Sequence, residues 1–488
     1  MNYFKTTILL GVLITSLFGQ RIISFEEAMD IAKKNSPEIR QAQINLERNQ
    51  RLLDAEKAAL KSNFSLSVDP FYYEKSRQLE QILGSFNESE QKGSSGRLII
   101  SQPVLLTDGT FVLMENFQYQ DVRSEFGGDT HNRSFSNNLT LEFNQPLFTY
   151  NRTKLALDNV RTDLEYAYFN YIINELSLEQ RVTQVFYRVY QNKLALQVAR
   201  EDKARTEQSY QIILNKVEAG LAAQEELYQA ELNLLTSSSV LQNGEVTLQN
   251  SLDNFKQVIG LDLNDDITVD ATINQKKVEF TLDRAIRLGL ANRLELKQRN
   301  LDIRNAKTGL ITASAINEFK GNLRLSYGFA SNDEDINRLA DNPRENQVLR
   351  LSFDVPIYDW GEAESRKKAA QASIKSSELN LEEEKVNIVI GIRQTHRSLN
   401  NQALQIEMAE QNVKIAQQTY DINLERYKNG DLTSMDLNLF QNQLSEKKNS
   451  QIDAIINYKL LLLDMKVQTL WDFETDNAVD TNTLNSNE

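Results

Sequence analysis

The chain has 488 residues, no cysteine, two histidines (His131 and His396) and a net charge of −14. This composition excludes disulfides, thiolate metal sites, cysteine nucleophiles and a lipid-modified cysteine, and leaves too few histidines for a zinc or Ser/His/Asp centre. The acidic balance argues against nucleic acid as a partner, because phosphate binding needs a surplus of Lys and Arg on one face; it suits either a soluble acidic surface or an acidic lumen that favours cations.

Residues 1–20 read as a secretory signal, with Lys5 ahead of an apolar run from Ile8 to Phe18 and cleavage expected near Gly19 or Gln20. The run is too short to span a bilayer comfortably, and no later segment has 18 uninterrupted apolar residues. An exported chain of this kind can cross a membrane only with strands.

From residue 21 to 260 the pattern is helix, strand, inserted loop, strand, long helix, helix. Ser24 with Glu27 forms a capping box at the start of a helix over about 25–61. Phe64, Leu66 and Val68 then alternate with serines, as a strand requires. A stretch from about 70 to 137 follows, marked as loop-rich by Gly93-Ser94-Ser95-Gly96 and Gly127-Gly128. It is expected to form an extended surface loop with its own hairpin, the alternative being extra barrel strands. Leu139, Leu141 and Phe143 make the next strand, which ends at Pro146-Leu147-Phe148. The prolines number only 6, and none lies between 147 and 342 or after 356, so long helices can run there. The first, Arg152 to Ala219, has 68 residues, roughly 100 Å at about 1.5 Å per residue. A helix over about 222–259 follows Gly220.

From 261 to 471 the pattern recurs. Thr281 with Arg284 opens a helix over about 282–317, without the acidic half of a capping box. Leu323, Leu325, Tyr327 and Phe329 form one strand; Leu349, Leu351, Phe353 and Val355 form the sharpest one, alternating with Arg350, Ser352 and Asp354. Helices over about 361–429 and 432–470 complete the copy. Residues 472–488 form an acidic tail expected to be disordered.

The chain is internally duplicated. At an offset of 210 residues, Pro146-Leu147-Phe148 falls on Pro356-Ile357-Tyr358, and Gln208, Tyr210, Leu214, Gly220 and Leu227 fall on Gln418, Tyr420, Leu424, Gly430 and Leu437. The starts of the copies match at an offset of 257, so the first copy carries an insertion of 47 residues. Ile392, Leu399, Ile406, Val413, Tyr420 and Tyr427 stand seven apart, which predicts left-handed coiling against partner helices. The reading is mostly α with a β-barrel portion. Four strands per subunit cannot close a barrel, since about eight are needed, and lipid-exposed edges are forbidden; a trimer with twelve strands is the simplest closure.

Two stretches then carry a resemblance. Tyr210 through Lys216-Val217-Glu218-Ala219-Gly220-Leu221 to Glu226-Leu227, and Tyr420 through Arg426-Tyr427-Lys428-Asn429-Gly430 to Asp436-Leu437, give Tyr, basic residue, Gly and acid-Leu at one spacing, twice. With the duplication and the Pro-apolar-aromatic strand ends, the chain resembles the TolC family of outer-membrane efflux proteins. The resemblance implies a homotrimeric α-barrel/β-barrel tube set in outer-membrane lipid and reaching into the periplasm. It implies a passive exit duct of a tripartite efflux or type I secretion system, with no enzymatic activity and no cofactor. Its partners would be a periplasmic adaptor (membrane fusion) protein and an inner-membrane pump.

The tip residues Gly220, Leu221, Glu226, Gly430, Arg426 and Lys216 would then dock the adaptor, and Asp436, Tyr427 and Leu439 would line or hold the periplasmic gate. Leu439 stands where well-studied members carry a second acid, and Leu432 where they carry a base, so a greasy constriction replaces a second acidic ring. On local grounds alone Asp436 and Glu226 are first-turn acids favoured by the helix dipole, by about 0.3–1 kcal/mol, and Arg426 and Lys216 are bases at helix ends. The rival reading is a non-channel periplasmic coiled-coil scaffold, which accounts for the heptads but not for the strands or the signal.

Overall fold

The structure is a computed structural model that describes residues 21–80, 85–124, 130–271 and 277–479. The signal sequence lies outside the described residues, as does the tail beyond 479. In chain order the elements are β1 (Arg21–Ile23), α1 (Phe25–Asn35), α2 (Pro37–Ala59), β2 (Asn63–Glu80), β3 (Ser85–Val104), β4 (Gly109–Ser124), β5 (Thr130–Leu147), α3 (Arg152–Glu218) and α4 (Gln224–Ile259). They continue as β6 (Ile267–Val269), α5 (Leu282–Asn292), α6 (Leu294–Ser314), β7 (Lys320–Asp333), β8 (Arg344–Asp354), α7 (Glu362–Asn429), α8 (Ser434–Thr469), β9 (Trp471–Asp472) and β10 (Asn477–Ala478). Two compact units divide the chain, with boundaries inside α2, α3, α6 and α7.

One unit, residues 44–169 and 297–383, is built on a single antiparallel sheet of six strands in the order β2-β3-β4-β5-β7-β8. The expected four strands per subunit are therefore six. The stretch 70–137 is not a surface loop: it extends β2 and β5 and adds β3 and β4 between them, each hydrogen-bonded on both sides. The registers give the sheet two unlike faces. Phe64, Leu66, Leu98, Ile100, Phe111, Leu113, Leu139, Leu141, Phe143, Leu325, Tyr327 and Leu349 share one. Ser65, Ser67, Arg97, Asn116, Asn138, Thr140, Glu142, Arg324 and Arg350 share the other, where Arg324 pairs with Glu142 and where the inserted strands also place Ile99, Val112 and Met114. Glu115 is a carboxylate on the apolar face, between Leu98 and Leu139.

Along the strands the apolar band is bounded by aromatics. Phe148, Phe319 and Phe353 cluster at the end where the strands meet the helices. Tyr119 packs on Phe135 at the other end, with ring centroids 4.9 Å apart. Beyond that girdle the same face turns ionic: Lys75 pairs with Glu88, Lys92 with Glu90, and Asp121 with both His131 and Arg133. An apolar band with aromatic borders is what lipid selects, and the ionic stretch is what water selects. Gly93 sits under the Tyr72 ring, where a Cβ would come within 2.7 Å of it, and Gln91 and Gln118 donate to the Tyr72 hydroxyl. The glycine that marked this region as loop therefore serves a strand.

The turn between β3 and β4 is bound to the start of α3. The Asp108 carboxylate accepts from the Thr153 backbone N–H at 2.9 Å and from its hydroxyl at 2.6 Å, and Asn151 donates to the Leu105 carbonyl. In α7, 210 residues on, the corresponding N–H of Ala363 is bonded by Asp359 of its own helix start. Thr149 stands at the position of Asp359, so the inserted hairpin supplies the carboxylate that the second copy supplies locally.

The other unit comprises residues 21–43, 170–296 and 384–479 among those described. Ser24 and Thr281 cap α1 and α5 through their hydroxyls, accepting from the N–H of Glu27 and Arg284. β1 and β6 pair in parallel, and the Lys193 ammonium donates to the Val269 carbonyl. In the heptad frame of α7, Ile392, Leu399, Tyr420 and Tyr427 are buried and Ile406 and Val413 half-buried; in α3, Val182, Val189 and Leu196, also seven apart, are buried. Residues 472–479, the part of the expected tail that is described, carry defined contacts. Phe473 stacks on Phe280 at 4.0 Å, and β9 pairs with β10. An acidic composition disfavours order only where no apolar side chain finds a partner, and Phe473 finds one.

Asp108→Ala would leave the Thr153 N–H without its partner at a helix start, at a cost of about 0.5–2 kcal/mol. Asp108→Asn, which keeps an acceptor, is expected to lose much less. Thermal unfolding of the detergent-solubilised variants distinguishes them; equal midpoints for Asp108→Ala and the parent would show that the bond contributes nothing.

Candidate functional site: the paired helical tips

Each long helix ends in the same way. At the end of α3 the Gly220 N–H bonds the Val217 carbonyl at 3.0 Å and the Leu221 N–H bonds the Lys216 carbonyl at 2.7 Å. At the end of α7 the Gly430 N–H bonds the Tyr427 carbonyl at 3.1 Å and the Asp431 N–H bonds the Arg426 carbonyl at 2.9 Å. Both are Schellman caps, and both need a left-handed residue: Gly220 has φ 76° and Gly430 φ 92°. A Cβ on either glycine would meet nothing within 4 Å, so the backbone angle alone accounts for the residue type.

The two helical hairpins, α3–α4 and α7–α8, pack on each other through Ile213, Ala230, Tyr420, Tyr427, Leu437 and Leu444. Tyr427 is fully buried; its hydroxyl donates to the Ser209 carbonyl at 3.3 Å. The Lys216 ammonium donates to the Tyr427 carbonyl at 2.5 Å and lies 5.1 Å from its ring centroid. Lys216 thus ties the last turn of α3 to the last turn of α7. Burial pushes the Tyr427 phenol up to about 12, with a smaller opposing effect from Ser434 and a small upward one from Glu226.

Of the predicted residues, Lys216 and Tyr427 are brought together, and Glu226 lies close enough to Tyr427 to act on its phenol. Gly220, Leu221, Gly430, Arg426, Asp436 and Leu439 lie exposed. Arg426 donates to the Asn423 side chain. Asp436 and Thr433 form a reciprocal cap: the Asp436 N–H bonds the Thr433 hydroxyl at 3.2 Å, and that hydroxyl donates to the Asp436 carboxylate at 2.7 Å. Leu439, 53 % exposed, and Met435, 72 % exposed, flank Asp436 with apolar surface.

A polar layer next to this core escaped the sequence. Arg205 donates to Asp202 at 3.3 Å and to Ser445 at 3.0 Å, and Ser445 donates to Asp202 at 2.8 Å. Lys448 pairs with Glu201 at 2.7 Å, whose carboxyl it holds below the usual range, and the buried Gln441 donates to Ser209. The Arg205 guanidinium also lies 5.8 Å from the Tyr420 ring. The one signal available was negative: the apolar frame of α3 breaks at Lys203, next to this layer.

Residues 110–261 and 285–460 match the model of the outer membrane efflux protein family. The chain belongs to this family. Comparison with curated protein sequences gives no match. Among solved structures, the chain is similar to the CmeC outer membrane channel of Campylobacter jejuni, with a TM-score of 0.69 at 16% identity over 94% of this chain and 87% of that one. It is similar to the outer membrane protein VceC of Vibrio cholerae, with a TM-score of 0.65 at 13% identity over 91% of this chain and 94% of that one. It is also similar to the open state of the MtrE outer membrane channel of Neisseria gonorrhoeae, with a TM-score of 0.65 at 14% identity over 94% and 91%. These likenesses establish the fold as that of outer membrane channels, mostly α with a β portion. Family and fold are those of channels, not of enzymes. Among the described residues no cluster of His, Asp and Glu is placed to hold a metal, and no helix is long and apolar enough to cross a membrane.

Two outcomes test the tip. Gly430→Ala forces a Cβ into left-handed backbone, which is expected to cost about 1 kcal/mol and to raise the rate of proteolysis at the turn. The Tyr427 phenol, near 10 when unfolded and about 12 in place, is kept neutral by the fold. Its contribution is complete below roughly pH 10 and is lost as pH rises through the folded value. Tyr427→Phe should therefore unfold more readily at neutral pH, by about 0.5–1.5 kcal/mol, yet lose less stability than the parent between roughly pH 10 and 12. Parallel stability–pH curves for the two proteins would refute the assignment.

Proposed function

We propose that this outer membrane efflux family member is the passive exit duct of a tripartite efflux or type I secretion system, a homotrimer set in the outer membrane and reaching into the periplasm. The observation that carries the reading is the sheet: one face apolar with aromatic borders, the other bearing charged side chains such as Arg97, Glu142, Arg324 and Arg350, and two outermost strands, β2 and β8, each with one edge unpaired among the described residues. Lipid on one side and water on the other account for both faces, and further copies account for the edges. A second seven-residue frame on α7, Met408, Ile415 and Ile422, is exposed in the single chain and suits a neighbouring copy as its cover.

In this reading the duct supplies no energy. The tips at Gly220, Leu221, Glu226, Gly430, Arg426 and Lys216 receive a periplasmic adaptor, and an inner-membrane pump drives transport. Asp436, repeated about a threefold axis with Leu439 beside it, forms a narrow ring that is acidic and partly greasy. Tyr427 and Lys216 act behind it, by holding the hairpins together. Docking shifts a closed–open equilibrium at this packing. The two-copy domain scheme, 21–260 and 261–471, gives each subunit two such tips.

Extraction separates the duct from a coiled-coil scaffold. A barrel leaves membranes only with detergent; release by salt or carbonate would end the duct reading. At the gate, Asp436→Asn keeps an acceptor for Thr433 but removes the charge. It is expected to abolish block of planar-bilayer currents by multivalent cations while leaving tip stability unchanged, and Asp436→Ala should raise conductance. Unchanged block and conductance in both would remove Asp436 from the gate.

A further inference from the structure

We propose that β3 and β4 are wall strands and that the barrel of the assembled protein has eighteen strands, with β8 of each copy pairing antiparallel to β2 of the next. The inference rests on the trimeric reading above and adds what six strands from each of three copies imply.

Four observations carry it. First, β3 and β4 lie inside the sheet, not at its rim: β3 pairs with β2 from Ser101 to Ser85, and β4 pairs with β5 from Thr110 to Ser124. A hairpin lying outside a narrower barrel would leave β2 and β5 adjacent, and they are not. Second, the inserted strands continue the apolar face of the sheet. Leu98, Ile100, Phe111 and Leu113 lie on it, and Arg97, Asn116 and Gln118 lie on the other face, together with the apolar Ile99, Val112 and Met114. Third, the turn at the foot of the hairpin is fixed: Asp108 caps α3, and Gln145 donates to the Thr107 carbonyl at 2.6 Å. Fourth, six is an even number. The strand directions alternate from β2 to β8, so the last strand of one copy runs antiparallel to the first strand of the next, and alternation is unbroken around the ring. Six strands alone are too few to close, since about eight are needed.

Barrel diameter grows roughly in proportion to strand number. With strands about 4.8 Å apart and tilted by about 40°, eighteen strands give a backbone diameter of roughly 36 Å, against roughly 24 Å for twelve. The membrane section is then far wider than a ring of tip carboxylates, so conductance, which reports the narrowest section, is not the measurement of choice.

The test is imaging by cryo-electron microscopy of the mature chain in lipid nanodiscs, joined to cysteine labelling on the cysteine-free background. A threefold ring roughly 36 Å across is expected. A threefold ring of roughly 24 Å, with residues 85–124 outside it, would overturn the eighteen-strand barrel and leave the duct intact. Particles without a threefold ring would overturn both. In labelling, Asn116→Cys and Leu113→Cys lie on opposite faces of β4. A hydrophilic maleimide added to reconstituted vesicles is expected to modify Asn116→Cys readily and Leu113→Cys about tenfold more slowly until the lipid is dissolved. Equal rates at the two positions would put the hairpin in water and overturn the proposal without reference to the images.

Discussion

A peptide group in hydrocarbon has no water to turn to, and an unpaired one costs several kcal/mol. Every large feature of the sheet-bearing unit follows from that constraint. The five interfaces between the six strands are satisfied within the chain, and among the described residues the two outer edges, on β2 and β8, are not. In the proposed trimer those two edges would meet in neighbouring copies, so that assembly would complete the pairing begun within the chain. The apolar face, the aromatic borders and the ionic stretch beyond them are responses to the same solvent boundary, read along a strand instead of across it.

The helical tips solve the opposite problem, in water. There the backbone ends need caps, not neighbours, and the two glycines provide them through left-handed geometry. What remains is to hold two hairpins together, and this is achieved with a small core around Tyr427, one ammonium bridging two helix ends and a polar layer beside it.

The sequence disclosed these parts unequally. Long helices were legible because proline was missing from them, and the strands at Leu139 and Leu349 because lipid imposes strict alternation. The glycine caps were legible because φ leaves few alternatives. The inserted strands were misread for a physical reason. In their outer halves, at Lys75, Glu88, Glu90 and Lys92 and at Asp121, His131 and Arg133, ion-paired side chains replace apolar ones, so alternation vanishes, and Gly93 is required by the Tyr72 ring rather than by a turn. Phe473 was lost in the acidic composition around it, although its partner Phe280 stands ahead of the predicted start of a helix. The Arg205–Asp202–Ser445 layer joins residues some 240 positions apart, and no spacing rule reaches that far.

The bond between Asp108 and Thr153 couples the inserted hairpin to the helix that follows it. The second copy caps its long helix with Asp359, whereas the first has Thr149 at that position and takes Asp108 from the hairpin. Asn151 still accepts from the Lys154 N–H at 2.8 Å, so without the hairpin the start of α3 would keep that cap and lose the bond at Thr153. The hairpin is in this sense tied into the helix it precedes, and its removal would be felt at α3 as well as in the sheet.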